Sequence, residues 1–454
     1  MLRRLPILLL LIGVVRTPAA QPADTLRVQL FTGFQPDVMA VEPTAAARIY
    51  AEDFARPLLR LPAGAMLLVD RRGDELRLRT SEGTIFARWI RIYPEEGGHL
   101  RLTARRPGQT SGPFTYPGWI QIAPDPSGLQ VLNHVALEDY VAAVLAREHH
   151  FDDLESTKAL AVAIRTYTLR RLQTSDTLLD HAAHQMYEGI DRVTPLIREA
   201  VEQTRGEVLT YQGELIEAVY FAASGGHTAN NEDVWDGVPQ PYLRGRPDPY
   251  DRNAPFQHWE ASVPRQRLLE ILSRKYGTRI TGFRIGTHSP DGRVATIELL
   301  RERGDPLTIR ANEFRLLVNA HFGRHTLRST YFTARRQGDT YHFEGKGFGH
   351  GVGLSQYGAL EMSRQGYSYR DILAFYYPGT ELHRHEAGAL LAAGSSPETE
   401  RPDDFAPPPA RTPAALPEVT TPAASSATRP VVAVGWSATP TRTVERPTHR
   451  RIGW

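Results

Sequence analysis

The stretch LEDYVAAVLAREHHFDDLESTKALAVAIRTYTLRR, residues 137–171, decides how the rest of the chain is read. Leu137, Tyr140, Val141, Val144 and Leu145 recur at i, i+3, i+4, i+7 and i+8, the spacing of one apolar helix face. The run HHFDD breaks that pattern. A second helix is predicted from about Leu154 to Leu172, with Asp152 and Glu155 spaced as a capping box. Before this stretch the period is two. LRVQLF, AMLLVD, ELRLRT, TIFARWIRIY and HLRLTA alternate or run apolar between Gly, Pro and Asp punctuation, which reads as strands. The expected fold class is therefore α+β, with a β-rich domain over 25–124 followed by a mixed α/β domain over 125–385. Within the second domain, GEVLTYQGELIEAVYFAAS reads as a hairpin turning at Gln212-Gly213, and Pro290-Asp291-Gly292 reads as a turn between later strands.

The chain has 454 residues, enough for two or three domains and a sizeable core. Its 53 Lys plus Arg nearly balance 51 Asp plus Glu, so composition gives no reason to expect a nucleic-acid partner. Arg3 and Arg4, the apolar run Leu5 to Val15 and the small residues that follow have the layout of a secretory signal peptide over 1–20. The run is too short to span a bilayer, so export to the periplasm, wall or exterior is expected, with no membrane contact after cleavage. With no cysteine in the chain, disulfides, thiolate zinc sites and an acylated N-terminus are excluded. Residues 393–454 are rich in Pro, Ala, Thr and Ser and read as a disordered tail.

The stretch KGFGHGVGLSQYG, residues 346–358, sets five glycines around one histidine. It fits neither a phosphate loop nor the dinucleotide fingerprint. It reads as an extended segment with one bare side, suited to tight packing or to a bulky ligand lying close to backbone. Ser355 is expected to cap a helix from about Gln356 to Gln365.

Glu148 is the candidate general acid. It falls at the predicted end of the first helix, where the dipole disfavours a carboxylate and raises its pKa, as an acid working near neutrality requires. A surface glutamate at a frayed helix end is the plain alternative, and Arg147, His149 and His150 oppose the dipole. Asp152 and Asp153 are candidates for a second carboxylate. No H-E-x-x-H occurs, and neither a metal nor another cofactor is expected. ASGGHT, residues 223–228, lacks the nucleophile elbow of a serine hydrolase. It better suits a tight turn that offers donors to a sugar-like ligand, with Tyr220, Phe221, Trp235, Tyr242 and Tyr357 available for packing or sugar stacking.

Three segments in order, LEDYVAAVLAREHH with AVAIRTY, VYFAASGGHT with the downstream PYL, and GFGHGVGLSQYG with YYPGT, resemble the SpoIID/LytB family of sporulation proteins and amidase enhancers. The resemblance spans about Val131 to Leu382. It implies a cell-wall protein, first a peptidoglycan lytic transglycosylase with Glu148 as catalytic acid and then base. The alternative it implies is a non-catalytic, peptidoglycan-binding amidase enhancer. The implied partners are glycan strands and a cell-wall amidase. The implied substrate-binding residues are Arg165, Tyr167, Ser224, Gly225, Gly226, Thr228, His350, Ser355, Gln356 and Tyr357. On this reading the glycine-rich stretch lines a substrate groove, His350 and Gln356 contact the strand, and Arg165 orients Glu148. The sequence departs from the family at Arg147 and His149, which flank the glutamate in place of Ser and Met, and at Ala223 and Leu354.

Overall fold

Alternating apolar side chains build the N-terminal part into two packed sheets. The computed structural model describes residues 25–52, 56–181 and 184–384; the expected signal peptide and tail lie outside the described residues. A six-stranded antiparallel sheet runs in the order Gln109–Tyr116, Leu100–Arg106, Val38–Pro43, Leu67–Arg72, Glu75–Thr80, Gly83–Ala87. In Leu100–Arg106, Leu100, Leu102 and Ala104 are buried while Arg101 and Arg105 are exposed, the two-residue period of a half-buried strand. The opposing sheet runs Leu178–Leu179, Thr25–Leu30, Gly128–Ala136, Trp119–Asp125, Ile90–Pro94, Ala47–Tyr50, Leu59–Leu61. TIFARWIRIY is not one strand. It breaks at Arg88 and Trp89, so that Gly83–Ala87 and Ile90–Pro94 lie in different sheets.

The strand Gly128–Ala136 sits inside the second sheet and passes directly into helix α1, Leu137–Glu148. The hairpin joining Trp119–Asp125 to Gly128–Ala136 therefore holds the expected boundary at 124, and one core runs from the sheets into the helices. Helix α2, Leu154–Leu172, is buried on every face from Ala159 to Thr166, as a central helix must be. Its N-cap is Asp153, whose carboxylate accepts the Ser156 amide at 2.8 Å, one residue later than the expected pairing of Asp152 and Glu155. Around α2 pack α1, α3 (Pro195–Gln203), α7 (Gln356–Arg364) and α8 (Tyr369–Tyr376), while α4, Asn231–Val234, is a single turn. Ser355 caps α7 by accepting the Gly358 amide at 3.3 Å, as expected.

Gln212 and Gly213, both at positive φ, turn the hairpin between Glu207–Tyr211 and Glu214–Leu215. The hairpin is shorter than its sequence suggests, because Tyr220–Phe221 leaves it and pairs in parallel with Leu354–Ser355. Between Trp259 and Gly345 an inserted lobe forms around its own core, including Leu268, Leu272, Leu299, Phe314 and Phe343. Two three-stranded sheets enclose that core with α5 (Arg265–Tyr276) and α6 (Ala311–Phe322). The fold is α+β.

Candidate active site

Helix α1 ends at Glu148 because His149 takes an extended conformation, its amide still reaching back to the Leu145 carbonyl. That break leaves the Glu148 side chain half-buried against the 185–187 segment. The carboxylate accepts the Met186 amide at 2.7 Å and the phenol of Tyr220. Burial pushes the Glu148 carboxyl above its ordinary value, and those two donors, with Arg147, oppose the rise. Arg147 itself pairs with Glu188 at 2.7 Å.

Behind Tyr220 lies a buried polar chain. The Gln185 side-chain amide donates to the Tyr220 oxygen at 3.3 Å, and its carbonyl accepts from Thr168 at 2.8 Å and Tyr140 at 3.3 Å. With its oxygen already accepting from Gln185, the Tyr220 proton is directed at Glu148. Neither Gln185 nor Met186 lies in a recognisable motif. Tyr220 is legible only as an aromatic near the SGG turn.

Four of the expected substrate contacts have partners within the protein. Arg165 is fully buried and does not reach Glu148. Its guanidinium forks onto Glu138 at 3.1 and 2.6 Å and donates to the Glu207 carbonyl. A guanidinium in the core needs a carboxylate close by, and Glu138, in the first turn of α1, supplies it. The His350 ring lies 4.9 Å from that of Trp235; one nitrogen bonds the Tyr220 carbonyl at 2.9 Å and the other accepts the Val352 amide at 3.1 Å. Burial pushes its pKa down to about 3, so it stays neutral. Gln356 donates to the backbone carbonyl of Glu148 at 3.0 Å. Ser355 is buried and bonds Asp251 as well as capping α7.

The SGG turn is also engaged from within. Gly225 donates to Asp251 at 2.7 Å, Gly226 donates to the Ser224 hydroxyl at 3.1 Å, and Thr228 is bonded to Arg246 in both directions. Ser224 and Thr228 are buried; Gly226 is exposed. Beneath the turn, Asp248 is pushed up to about 6 by burial and by the neighbouring Asp251 charge. Of the remaining expected contacts, Tyr167 is half-buried within electrostatic reach of Glu148, and Tyr357 is half-buried with its ring edge-on to Phe151 and Phe256.

The glycine-rich stretch owes its bareness to protein neighbours. Gly347, Gly349, Gly351 and Gly353 all have positive φ. A Cβ at Gly347 would sit 2.9 Å from the Ala223 carbonyl, one at Gly349 2.7 Å from Phe221, and one at Gly351 2.7 Å from the Arg293 guanidinium. At Gly353 it would overlap the Val219 carbonyl. Tight packing against 219–224 and, at Gly351, against Arg293 therefore accounts for these residues without a ligand.

Of the other candidates, Asp153 is occupied as a helix cap and by Ser363 at 2.8 Å. His149 is buried with neither ring nitrogen bonded, and burial pushes it down to about 4. Among the described residues no group of three or more His, Cys, Asp or Glu is arranged to hold a metal ion. Beside Arg147 a cavity of about 160 Å³ opens against Phe114, Glu188, Asp191 and Arg192.

Stage II sporulation protein D of Bacillus subtilis (strain 168) is 30% identical over 286 residues, covering 58% of this chain and 78% of that protein. The SpoIID family profile, stage II sporulation protein, matches residues 125–211. The chain belongs to the SpoIID family. Within this SpoIID protein, residues 249–353 match a domain of unknown function, DUF8618, which takes in the inserted lobe. An uncharacterized protein of Brachyspira hyodysenteriae is 31% identical over 61% of the chain and 74% of its own length. The amidase enhancer of Bacillus subtilis (strain 168) is 31% identical over half of the chain, which spans only 38% of that relative.

Proposed function

We propose that this SpoIID protein is an exported peptidoglycan lytic transglycosylase with Glu148 as its acid and then its base. The observation that carries the reading is a single half-buried carboxylate with a raised pKa, held by the Met186 amide and the Tyr220 phenol. Among the described residues no second carboxylate takes part in that hydrogen-bonded chain. Ordinary glycosidases use two carboxyl groups, one as acid and the other as nucleophile or base. Here one is enough. Protonated Glu148 gives its proton to the glycosidic oxygen as the bond to the muramyl C1 breaks. The resulting carboxylate then takes the proton from the muramyl 6-hydroxyl as O6 bonds to C1. The products are a free 4-hydroxyl on one fragment and a 1,6-anhydro end on the other, and Glu148 is protonated again.

The relative named amidase enhancer favours a second reading, in which the chain binds glycan and acts through a wall amidase. Glu148→Gln in the full chain, incubated with peptide-free glycan strands, separates the two. Glutamine keeps the size but can neither give nor take the proton. Release of anhydro-muramyl ends is expected to fall by about 10²–10⁴-fold, with binding retained. A folded Glu148→Gln protein that cuts at the wild-type rate would overturn the assignment. A wild type that binds strands without cutting them supports the enhancer reading.

A further inference from the structure

The inserted lobe approaches the surroundings of Glu148 through two neighbouring residues. Arg324 lies 4.0 Å from the sulfur of Met186, whose amide holds the carboxylate. A run of ring contacts starts at His149, next to Glu148 in the chain. It passes through Phe151, Tyr357, Phe256 and Phe348 to His325 of the lobe, with centroid spacings of 4.8–5.7 Å. The four rings from Phe151 to Phe348 are each half-buried, so an aromatic ridge meets solvent between the acid and the lobe.

Some cations of the lobe have a carboxylate partner, while others, among them Arg301 and Arg336, bond backbone carbonyls instead. Arg279, Arg284, Arg293 and Arg335 each pair with a carboxylate. Arg324, Arg328 and Lys346 form no ion pair among the described residues. The Arg328 guanidinium instead lies 5.1 Å from the centre of the Phe256 ring and 5.9 Å from that of Phe348. Arg324 and Arg328 lie four residues apart in the chain, and burial and their charge push the pKa of His325 between them down. Like charges held together without a counter-ion repel one another, and an anion brought among them is attracted by all at once.

We propose that the aromatic ridge and the adjoining edge of the lobe form the second wall of the glycan cleft, the ridge packing sugar faces and Arg324 and Arg328 binding the carboxylate of a muramyl unit. The inference rests on the glycan reading of Glu148 and extends it to a region whose matching domain has no assigned function. Muramyl carboxylates are the charge a peptide-free strand carries, so they are the natural complement to an unpaired cationic rim beside stacking rings. Guanidinium groups suit the task because they present forked donors to a carboxylate and also lie on aromatic faces.

The test is affinity of the full chain for peptide-free glycan strands, and for the same strands with their carboxylates reduced to alcohols. Measurements are made on Glu148→Gln protein to prevent turnover. The added double change Arg324→Ala and Arg328→Ala is expected to weaken binding to native strands at least about tenfold, and to have little effect on reduced strands. Lysine at both positions, which keeps the charge, should restore much of the loss. Unchanged melting temperatures exclude misfolding as the cause. Equal affinity of the double variant and its parent for native strands would overturn the proposal, as would equal losses on both substrates. If the parent binds neither substrate, the glycan reading itself fails, and that result is distinct from a lobe that contributes nothing.

Discussion

The phenol of Tyr220 gives its one proton to Glu148 because Gln185 already donates to its oxygen. Replacing Tyr220 with Phe removes a donor to the ionised carboxylate and leaves the protonated form almost untouched. The Glu148 pKa must then rise further above its ordinary value. A general acid works while it is protonated, so the alkaline limb of the kcat/KM profile should move to higher pH. A hydrogen bond to a charged group contributes about 1.5–3 kcal/mol, which corresponds to a move of about 1–2 pH units. An unmoved limb would mean that the phenol does not touch the carboxylate during the proposed reaction. Glu148 is legible in the sequence because the end of an amphipathic helix is a local signal. The partner of Arg165 is not: Glu138 and Glu148 sit on the same helix, and only packing brings one of them to the guanidinium.

At the scale of elements, the helices flanking Glu148 follow from their own periodicity and caps, and the hairpin turn follows from Gln212-Gly213. The strands are less legible, since TIFARWIRIY carries one pattern through two sheets and its break has no Gly or Pro to mark it. The glycine-rich stretch gives a measurable contrast between two glycines of nearly equal φ. Gly353→Ala forces a Cβ onto the Val219 carbonyl in a left-handed conformation, whereas Gly213→Ala meets the same strain in open space. Left-handed backbone costs a non-glycine residue about 1–2 kcal/mol, and overpacking adds about 1–3 kcal/mol. Denaturant unfolding should therefore find Gly353→Ala the more destabilised by at least about 1 kcal/mol. Equal losses would mean that the 219–224 segment moves aside freely, and the stretch would again be open to a ligand.

For the whole molecule, the lobe and the body have separate cores, and the lobe's is the smaller. Cooperative opening is easiest where least apolar surface is buried, so we propose that the lobe opens as a unit below the global unfolding free energy. Native-state hydrogen exchange should find the amides of 259–345 exchanging together, and earlier than those of α2. Exchange of the lobe at the rate of α2 would mean that the two cores unfold as one. The α+β class, the helices that bracket Glu148, the Ser355 cap and the ordered motifs of the family are legible from residues 1–454 alone, because periodicity and caps act within a few residues. Which groups hold Glu148 follows from the packing of distant segments. Met186, Tyr220 and Gln356 come from 38, 72 and 208 residues away in the chain, and Arg324 and His325 approach from a separately folded lobe. Contacts at that range are fixed by how cores and sheets pack, and packing leaves no periodic trace in the residues it brings together.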